Sequence, residues 1–196
     1  MNREDWLIAA LPELNALLID APDFKTPLLS IGLPHARSLS ARQKAIGECW
    51  SSRCTATGQA TIFISPLLDD PVEILGVLLH ELVHASVGNQ CGHRGAFAKV
   101  ARASGLVGKM TETTPGPELV QRLHALAARL GDLPHARLNA QAIKDERKKQ
   151  KTRQRLYECA GCGQKIRAAS DTLTAIHIGE TGKPCGTFTL KEKTED

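Results

Sequence analysis

The sequence predicts an α+β fold, with a small antiparallel sheet packed on helices and a β-rich tail behind it. Three observations support this prediction: strand-like segments lie between residues 26 and 65, a very apolar helix pattern follows at 70–87, and short strands with cysteines and glycines follow residue 156. With 196 residues, of which 42% are hydrophobic, the chain can form one main domain and a small appendage. We therefore predict a main domain at 1–141, a basic linker at 142–156 and a tail at 157–196.

The first third of the chain contains one helix pattern and the first strands. Residues 3–19 have the spacing of an amphipathic helix, which Pro12 is expected to break or kink. Strands are expected at 26–32, 45–50 and 60–65, separated by Ser-, Gly- and Arg-containing connections. We expect the last of these strands, or its neighbour, to be an exposed edge to which a peptide substrate adds as an extra strand.

The central helix has clear start and stop signals. Asp70, Pro71 and Glu73 form the pattern of an N-cap, a first-turn proline and a third-position acid. Gly88 is a plausible C-terminal stop. The residues between are so apolar that the helix is expected to be buried.

This helix contains an HExxH motif. His80 and His84 are four residues apart, so they lie on the same helix face and can bind one zinc ion. Glu81, next to the first histidine, is well placed to accept a proton from a zinc-activated water. Burying two histidines and a glutamate would be costly without a partner, and a metal ion removes that cost. The motif therefore predicts the chemistry of a zinc peptidase.

A catalytic zinc of this kind needs a third protein ligand and an open fourth position. His93 is the preferred candidate, because the glycines around it allow the chain to reverse and return a side chain to the metal. Glu112 and Glu118 are the alternatives, since each precedes or begins a later helix.

The sequence HELVHA followed by GHRGAF resembles the SprT-like family of zinc peptidases, which includes Spartan. The resemblance extends to IGECW and IFISP upstream and to LPHA and the Cys159/Cys162 pair downstream, and it covers most of 25–190. It is strongest towards short SprT-like proteins of phages and bacteria. It implies a zincin-like main domain, His93 as the third ligand, and proteins attached to or covering DNA as substrates.

The other cysteines and histidines of the main domain carry weaker signals. Cys49, Cys54 and Cys91 match no common zinc spacing and are expected to pack in the core. His135 and Arg94 are secondary candidates for stabilising the oxyanion of a tetrahedral intermediate. Helices are also expected at 94–104 and from Pro117 to a stop at Gly131, and their role is to support the metal helix.

The predicted linker is strongly basic. Between residues 144 and 155 it has seven basic and two acidic residues, whereas the whole chain has a net charge of only +4. The segment is either a solvated linker or a nucleic-acid contact. In the second case the phosphate-binding residues are Lys144, Arg147, Lys148, Lys149, Lys151, Arg153 and Arg155.

The tail begins with a C-x-x-C-G pattern, which is typical of a structural zinc knuckle. Cys159 and Cys162 supply two ligands, and Cys185 supplies a third. His177, on a predicted strand, is the candidate for the fourth, although it could equally be a surface residue. A three-cysteine site with water, or a tail without metal, remains open at this stage.

The sequence thus predicts a zinc-dependent endopeptidase acting on DNA-associated proteins, with one catalytic zinc and an additional structural zinc. The alternative is a nucleic-acid-binding regulator whose HExxH zinc is structural or vestigial. A membrane span is not expected, because no stretch of 18 apolar residues occurs. The first residues lack a signal-peptide pattern, and the cysteines form no disulfide framework, which favours a reducing cytoplasmic compartment.

Overall fold

The computed structural model describes residues 2–33, 46–146, 154–170 and 172–191. The chain is a mixed α+β protein and divides into two compact units, Met1–Lys144 and Asp145–Asp196. Among the described residues, no helix is long and apolar enough to cross a membrane.

The first unit contains five helices and five short strands among its described residues. In chain order they are α1 (Arg3–Ala16), β1 (Leu28–Ile31), β2 (Gly47–Trp50), β3 (Thr61–Ile64), α2 (Pro71–Val87), α3 (Ala96–Ala103), β4 (Leu106–Val107), β5 (Thr114–Pro115), α4 (Pro117–Leu130) and α5 (Ala140–Glu146), which continues past Lys144 into the second unit.

Helix α1 starts at a capping box, in which Asn2 accepts from the Asp5 backbone and the Asp5 carboxylate accepts from the Asn2 backbone. It continues through Pro12, so the predicted break does not occur. Pro12 and Ile8 are both exposed, so water can satisfy the Ile8 carbonyl that proline leaves without a helical donor. The helix ends at Ala16, earlier than the predicted residue 19.

The three-stranded sheet has the order β1-β3-β2. Strand β3 pairs in parallel with β1 and antiparallel with β2. The prediction of an antiparallel sheet is therefore wrong, because β3 lies between two strands that run in opposite directions and is parallel to one of them, β1. The prediction that β3 could be an exposed edge is wrong for the same reason. Its neighbour β2 is an edge strand of this sheet among the described strands.

Helix α2 begins and ends where the sequence predicts. The Asp70 carboxylate accepts from the backbone N–H of Glu73 at 2.6 Å, and Gly88 ends the helix with a positive φ of 79°. The helix packs against the sheet and against α3 and α4, which end at Ala103 and Leu130. Its apolar side chains form the centre of the core: Ile74, Leu75, Leu78, Leu79, Leu82 and Val83.

The second unit is a four-stranded antiparallel sheet of order β7-β6-β9-β8. Its strands are β6 (Arg155–Cys159), β7 (Lys165–Ala168), β8 (Ile176–Ile178) and β9 (Pro184–Leu190). Strand β6 thus begins within the segment predicted as linker, 142–156, and helix α5 ends within the same segment. Tyr157 and Cys159 are its buried side chains, whereas most other residues of this unit are at least partly exposed.

Candidate metal centres

Three histidines converge at one end of the cleft beside α2. His80 and His84 project from α2, and His93 comes from the turn that follows a short 3-10 helix, Asn89–Cys91. The Nε2 atom of His93 lies 3.3 Å from Nε2 of His80 and 3.1 Å from Nε2 of His84. Nitrogens that share one tetrahedral zinc at about 2.05 Å stand roughly 3.3 Å apart, so this spacing fits a zinc ion.

The protonation of these rings also fits a metal site. Burial, and then the neighbouring His93, lower the pKa of His80 to about 4. Burial followed by the other two rings lowers the pKa of His84 to about 3, and burial also lowers the pKa of His93. The imidazoles are therefore neutral near pH 7, which is the form that binds metal.

One ring has a partner from a distant part of the chain. The Oγ1 atom of Thr113, just before β5, lies 2.7 Å from Nδ1 of His80. With Nε2 on a metal, Nδ1 carries the proton and donates it to this hydroxyl, which fixes the ring orientation. The sequence analysis did not identify Thr113, because no local pattern links it to a histidine 33 residues away.

Glu81 lies beside the first histidine and is buried. Burial is the main cause that raises its pKa to about 8, and the charge of Glu48 on β2 adds to the effect. Strand β2 approaches this carboxyl closely, since a Cβ on Gly47 would lie 2.5 Å from Oε1 of Glu81. Glycine at position 47 therefore makes room for the Glu81 carboxyl, a role that the sequence analysis missed along with that of Glu48.

The histidines and Glu81 open into a cleft of about 660 Å³. One wall is the segment Ile46–Cys49 with Val77, and the other is the loop 111–114 that leads into β5. The cleft also receives Asn89 and Gly92 from the turn before His93. The site can therefore offer a bound metal and a carboxyl group to a molecule that enters from solvent.

The other residues predicted near this site lie elsewhere or have other contacts. Glu112 lines the cleft but pairs with Lys109 at 3.7 Å, and Glu118 is exposed in the first turn of α4. Neither belongs to the three-histidine group. Arg94 is exposed beside His93, and the Nε2 atom of His135 lies 3.2 Å from the carbonyl of Pro66.

The three cysteines of the main domain behave differently from one another. Cys49 is buried, and burial together with Glu81 raises its pKa to about 12. Cys91 is half-buried, and its Sγ contacts the carbonyls of Gly88 and Gly92. Cys54 is exposed, so the prediction that it packs in the core is wrong. It lies in a surface 3-10 turn, Ser52–Cys54, that has no buried residue.

A second group lies in the second unit. Cys159, Cys162, His177 and Cys185 bring their ligand atoms within 4.8 Å of one another. The Cys162 Sγ and His177 Nδ1 atoms are 3.1 Å apart, and the sulfurs of Cys159 and Cys185 are 4.0 Å apart. Tetrahedral zinc at about 2.3 Å from sulfur places two sulfurs roughly 3.8 Å apart. Three thiols and one imidazole therefore form a set that can hold a metal ion.

Local backbone geometry supports this second group. A hydrogen bond from the backbone N–H of Cys162 is the largest cause that lowers the pKa of Cys159 to about 6. A hydrogen bond with the side chain of Cys162 is the largest cause that raises the pKa of Cys185 to about 11. The two turns that carry the cysteines touch through glycines. A Cβ on Gly161 would lie 2.2 Å from the carbonyl oxygen of Cys185, and one on Gly186 would lie 2.6 Å from the nitrogen of Gly161.

Most of the predicted phosphate-binding residues cannot be located. Arg147, Lys148, Lys149, Lys151 and Arg153 lie outside the described residues, and so does the side chain of Lys144. Arg155 is described, and its guanidinium donates to the carbonyl of Ala169 at 3.2 Å. On the next strand, Lys165 and Arg167 are exposed alternate residues and therefore project from the same face of β7.

Comparisons of this chain with protein-family models, curated proteins and solved structures find no match.

Proposed function

We propose that this protein is a zinc-dependent endopeptidase related to the SprT-like family. The observation that carries the proposal is the placement of three convergent imidazoles and a buried carboxyl in one open cleft. A closed structural zinc site would use a fourth side chain. Cys91, which precedes His93 by two residues, does not supply one, because it is not part of the three-histidine group and its Sγ contacts backbone carbonyls instead.

In this proposal His80, His84 and His93 hold the zinc ion. When bound, zinc would polarise the carbonyl of a scissile peptide and make a water molecule more acidic. The hydrogen bond from His80 to Thr113 keeps the first imidazole in the tautomer that such binding needs.

Glu81 is the proposed general base and acid. It takes a proton from the attacking water and passes it to the leaving amine, so that one water and one peptide bond give a carboxylic acid and an amine. Its pKa of about 8 is that of the metal-free site, and a bound zinc ion would lower it, so that the carboxylate would be ionised and able to accept the proton of water near pH 7.

The proposed substrate is an extended segment of a protein. Strand β2 lies at a sheet edge and forms a wall of the cleft, so a peptide could pair with its backbone without a sequence requirement. In this proposal the substrate-pairing edge is β2, the neighbour of β3.

Proteins associated with DNA are the proposed substrate class. The basic segment from 144 to 155 and the exposed Lys165 and Arg167 support an association with phosphates. A tether to DNA would raise the local concentration of an unselective peptidase near its targets. The motif resemblance to SprT-like proteins supports the same substrate class.

The test is cleavage of a DNA-binding protein by zinc-loaded wild type and Glu81→Gln, each with and without single-stranded DNA. We expect DNA-stimulated cleavage by the wild type, and loss of cleavage in Glu81→Gln with unchanged zinc content. Cleavage that DNA does not stimulate would support a peptidase for free proteins. Absence of cleavage by both proteins, with zinc and DNA still bound, would favour a nucleic-acid-binding regulator.

A further inference from the structure

Asn89 connects the turn that carries His93 to the edge strand of the sheet. It is the first residue of the 3-10 helix Asn89–Cys91, between the second and third histidines. Its side-chain Nδ2 donates to the backbone carbonyl of Cys49 on β2 at 2.7 Å, across 40 residues of sequence. This orientation of the carboxamide is fixed by chemistry, because a carbonyl oxygen only accepts hydrogen bonds.

The backbone of β2 points alternately towards β3 and towards the free edge. The backbone N–H of Ser65 donates to the carbonyl of Ile46 at 2.9 Å, so residues 46, 48 and 50 of β2 bond to β3. The backbone N–H and C=O groups of Gly47 and Cys49 therefore face the free edge. Asn89 occupies the Cys49 carbonyl. The N–H and C=O of Gly47, where the strand borders the cleft, have no hydrogen-bond partner among the described residues.

A side-chain carboxamide has the same donor and acceptor groups as a backbone peptide unit. In Asn89 one of the two N–H donors is used by β2. The Oδ1 atom accepts no hydrogen bond among the described residues, and the side chain is exposed on the lining of the cleft. Asn89 therefore leaves an acceptor without a partner among the described residues, on the lining of the cleft and next to the blocked Cys49 carbonyl.

We propose that the Asn89 carboxamide extends the free edge of β2 and accepts a hydrogen bond from one backbone N–H of a bound peptide. The peptide pairs with Gly47 at one position and with Oδ1 of Asn89 at the next available acceptor, which fixes its register over the three histidines. Asn89 is then a substrate-binding residue with no preference for substrate side chains. This inference depends on the proposed peptidase function.

The test combines a substitution with backbone-modified substrates. A peptide that the wild type hydrolyses is synthesised with single backbone esters, one position at a time and never at the scissile bond. An ester lacks the N–H donor. In the wild type, one ester position is expected to lower kcat/KM about five- to tenfold through loss of a hydrogen bond. In Asn89→Ala the unmodified peptide is hydrolysed more slowly by a similar factor, and the same ester has no further effect.

The matched control is Gln90→Ala, which removes the neighbouring exposed carboxamide from the same 3-10 helix. It is expected to retain the full ester effect. Zinc affinity is measured for each variant, because a merely structural role of Asn89 in holding the His93 turn would lower zinc affinity and leave the ester effect intact. If the ester lowered kcat/KM by the same factor in Asn89→Ala as in the wild type, this inference would be wrong, and the proposed peptidase function would be unaffected. Absence of peptide hydrolysis by the zinc-loaded wild type would overturn the proposed function and this inference with it.

Discussion

The hydroxyl of Thr113 lies 2.7 Å from Nδ1 of His80, and it is the partner that orients the first imidazole of the three-histidine site. Thr113→Val keeps the side-chain shape and removes the hydroxyl. We expect zinc affinity at this site to fall about 10- to 100-fold, because the ring loses the partner that fixes its tautomer and orientation. Competition with a zinc chelator measures this affinity.

Thr111→Val is the control for this prediction. Thr111 is exposed on the same loop and also lines the cleft, but no hydrogen bond joins it to a histidine among the described residues. Equal zinc affinities of the two variants would show that the Thr113 hydroxyl does not support the site.

Zinc binding to the metal-free protein should release a proton from Glu81. Its pKa of about 8 means that the metal-free carboxyl is mostly protonated at pH 7, and a nearby divalent cation favours its ionised form. Zinc affinity should therefore rise as pH increases towards 8, and this proton contribution should disappear above that pH. At pH 7, the wild type should release about one proton more than Glu81→Gln.

Calorimetry in buffers of different ionisation enthalpy counts these protons. The number of protons released is compared between the wild type and Glu81→Gln at pH 7 and at pH 9. The thiols of the second group are the same in both proteins, so the difference between the proteins reports on Glu81. Equal proton release by the wild type and Glu81→Gln at pH 7 would mean that Glu81 is already ionised before zinc binds.

The predictable part of the first site is local in sequence. The i, i+4 spacing of His80 and His84 decides their shared helix face, and Asp70 and Gly88 mark the helix ends before any tertiary contact forms. Thr113 and Asn89 could not be found in this way. Each reaches its partner only after separate elements have packed, and neither belongs to a repeating pattern.

Strand pairing shows the same limit. The strand positions follow from local patterns, but the sequence contains no signal that β3 lies between β1 and β2. The position of His177 in the second unit is a further example. Alternation along β8 would put Ile176 and Ile178 inward and His177 outward, but both isoleucines are exposed, and Nδ1 of His177 lies 3.1 Å from Sγ of Cys162.

Loss of one thiol should empty the second group and leave the first intact. We expect wild type to bind two zinc ions per chain and Cys185→Ser to bind one, since three ligands hold zinc less tightly than four. Elemental analysis after dialysis counts the metal. Cys54→Ser is the control, because Cys54 is exposed and belongs to neither group. Two ions retained by Cys185→Ser would exclude Cys185 as a ligand.

The close approach of β2 to α2 gives a test of the Glu81 position that leaves every polar group in place. In Gly47→Ala, the new Cβ would lie 2.5 Å from Oε1 of Glu81 and 2.6 Å from Cγ1 of Val77. The strand or the carboxyl must shift. We expect the free energy of unfolding to fall by about 1–3 kcal/mol through overpacking. Peptide hydrolysis should fall at least tenfold, because the proton acceptor is displaced.

Gly32→Ala is the matched control on the same sheet. Its Cβ would meet Phe63 at 3.9 Å and Ser30 at 4.0 Å, which are ordinary contacts, so stability and hydrolysis should stay near the wild-type values. Urea unfolding and initial rates on one peptide measure both effects. If Gly47→Ala hydrolysed the peptide at the wild-type rate, catalysis would not depend on the position that the Glu81 carboxyl occupies beside Gly47. The proposed proton transfer would then have to use another group.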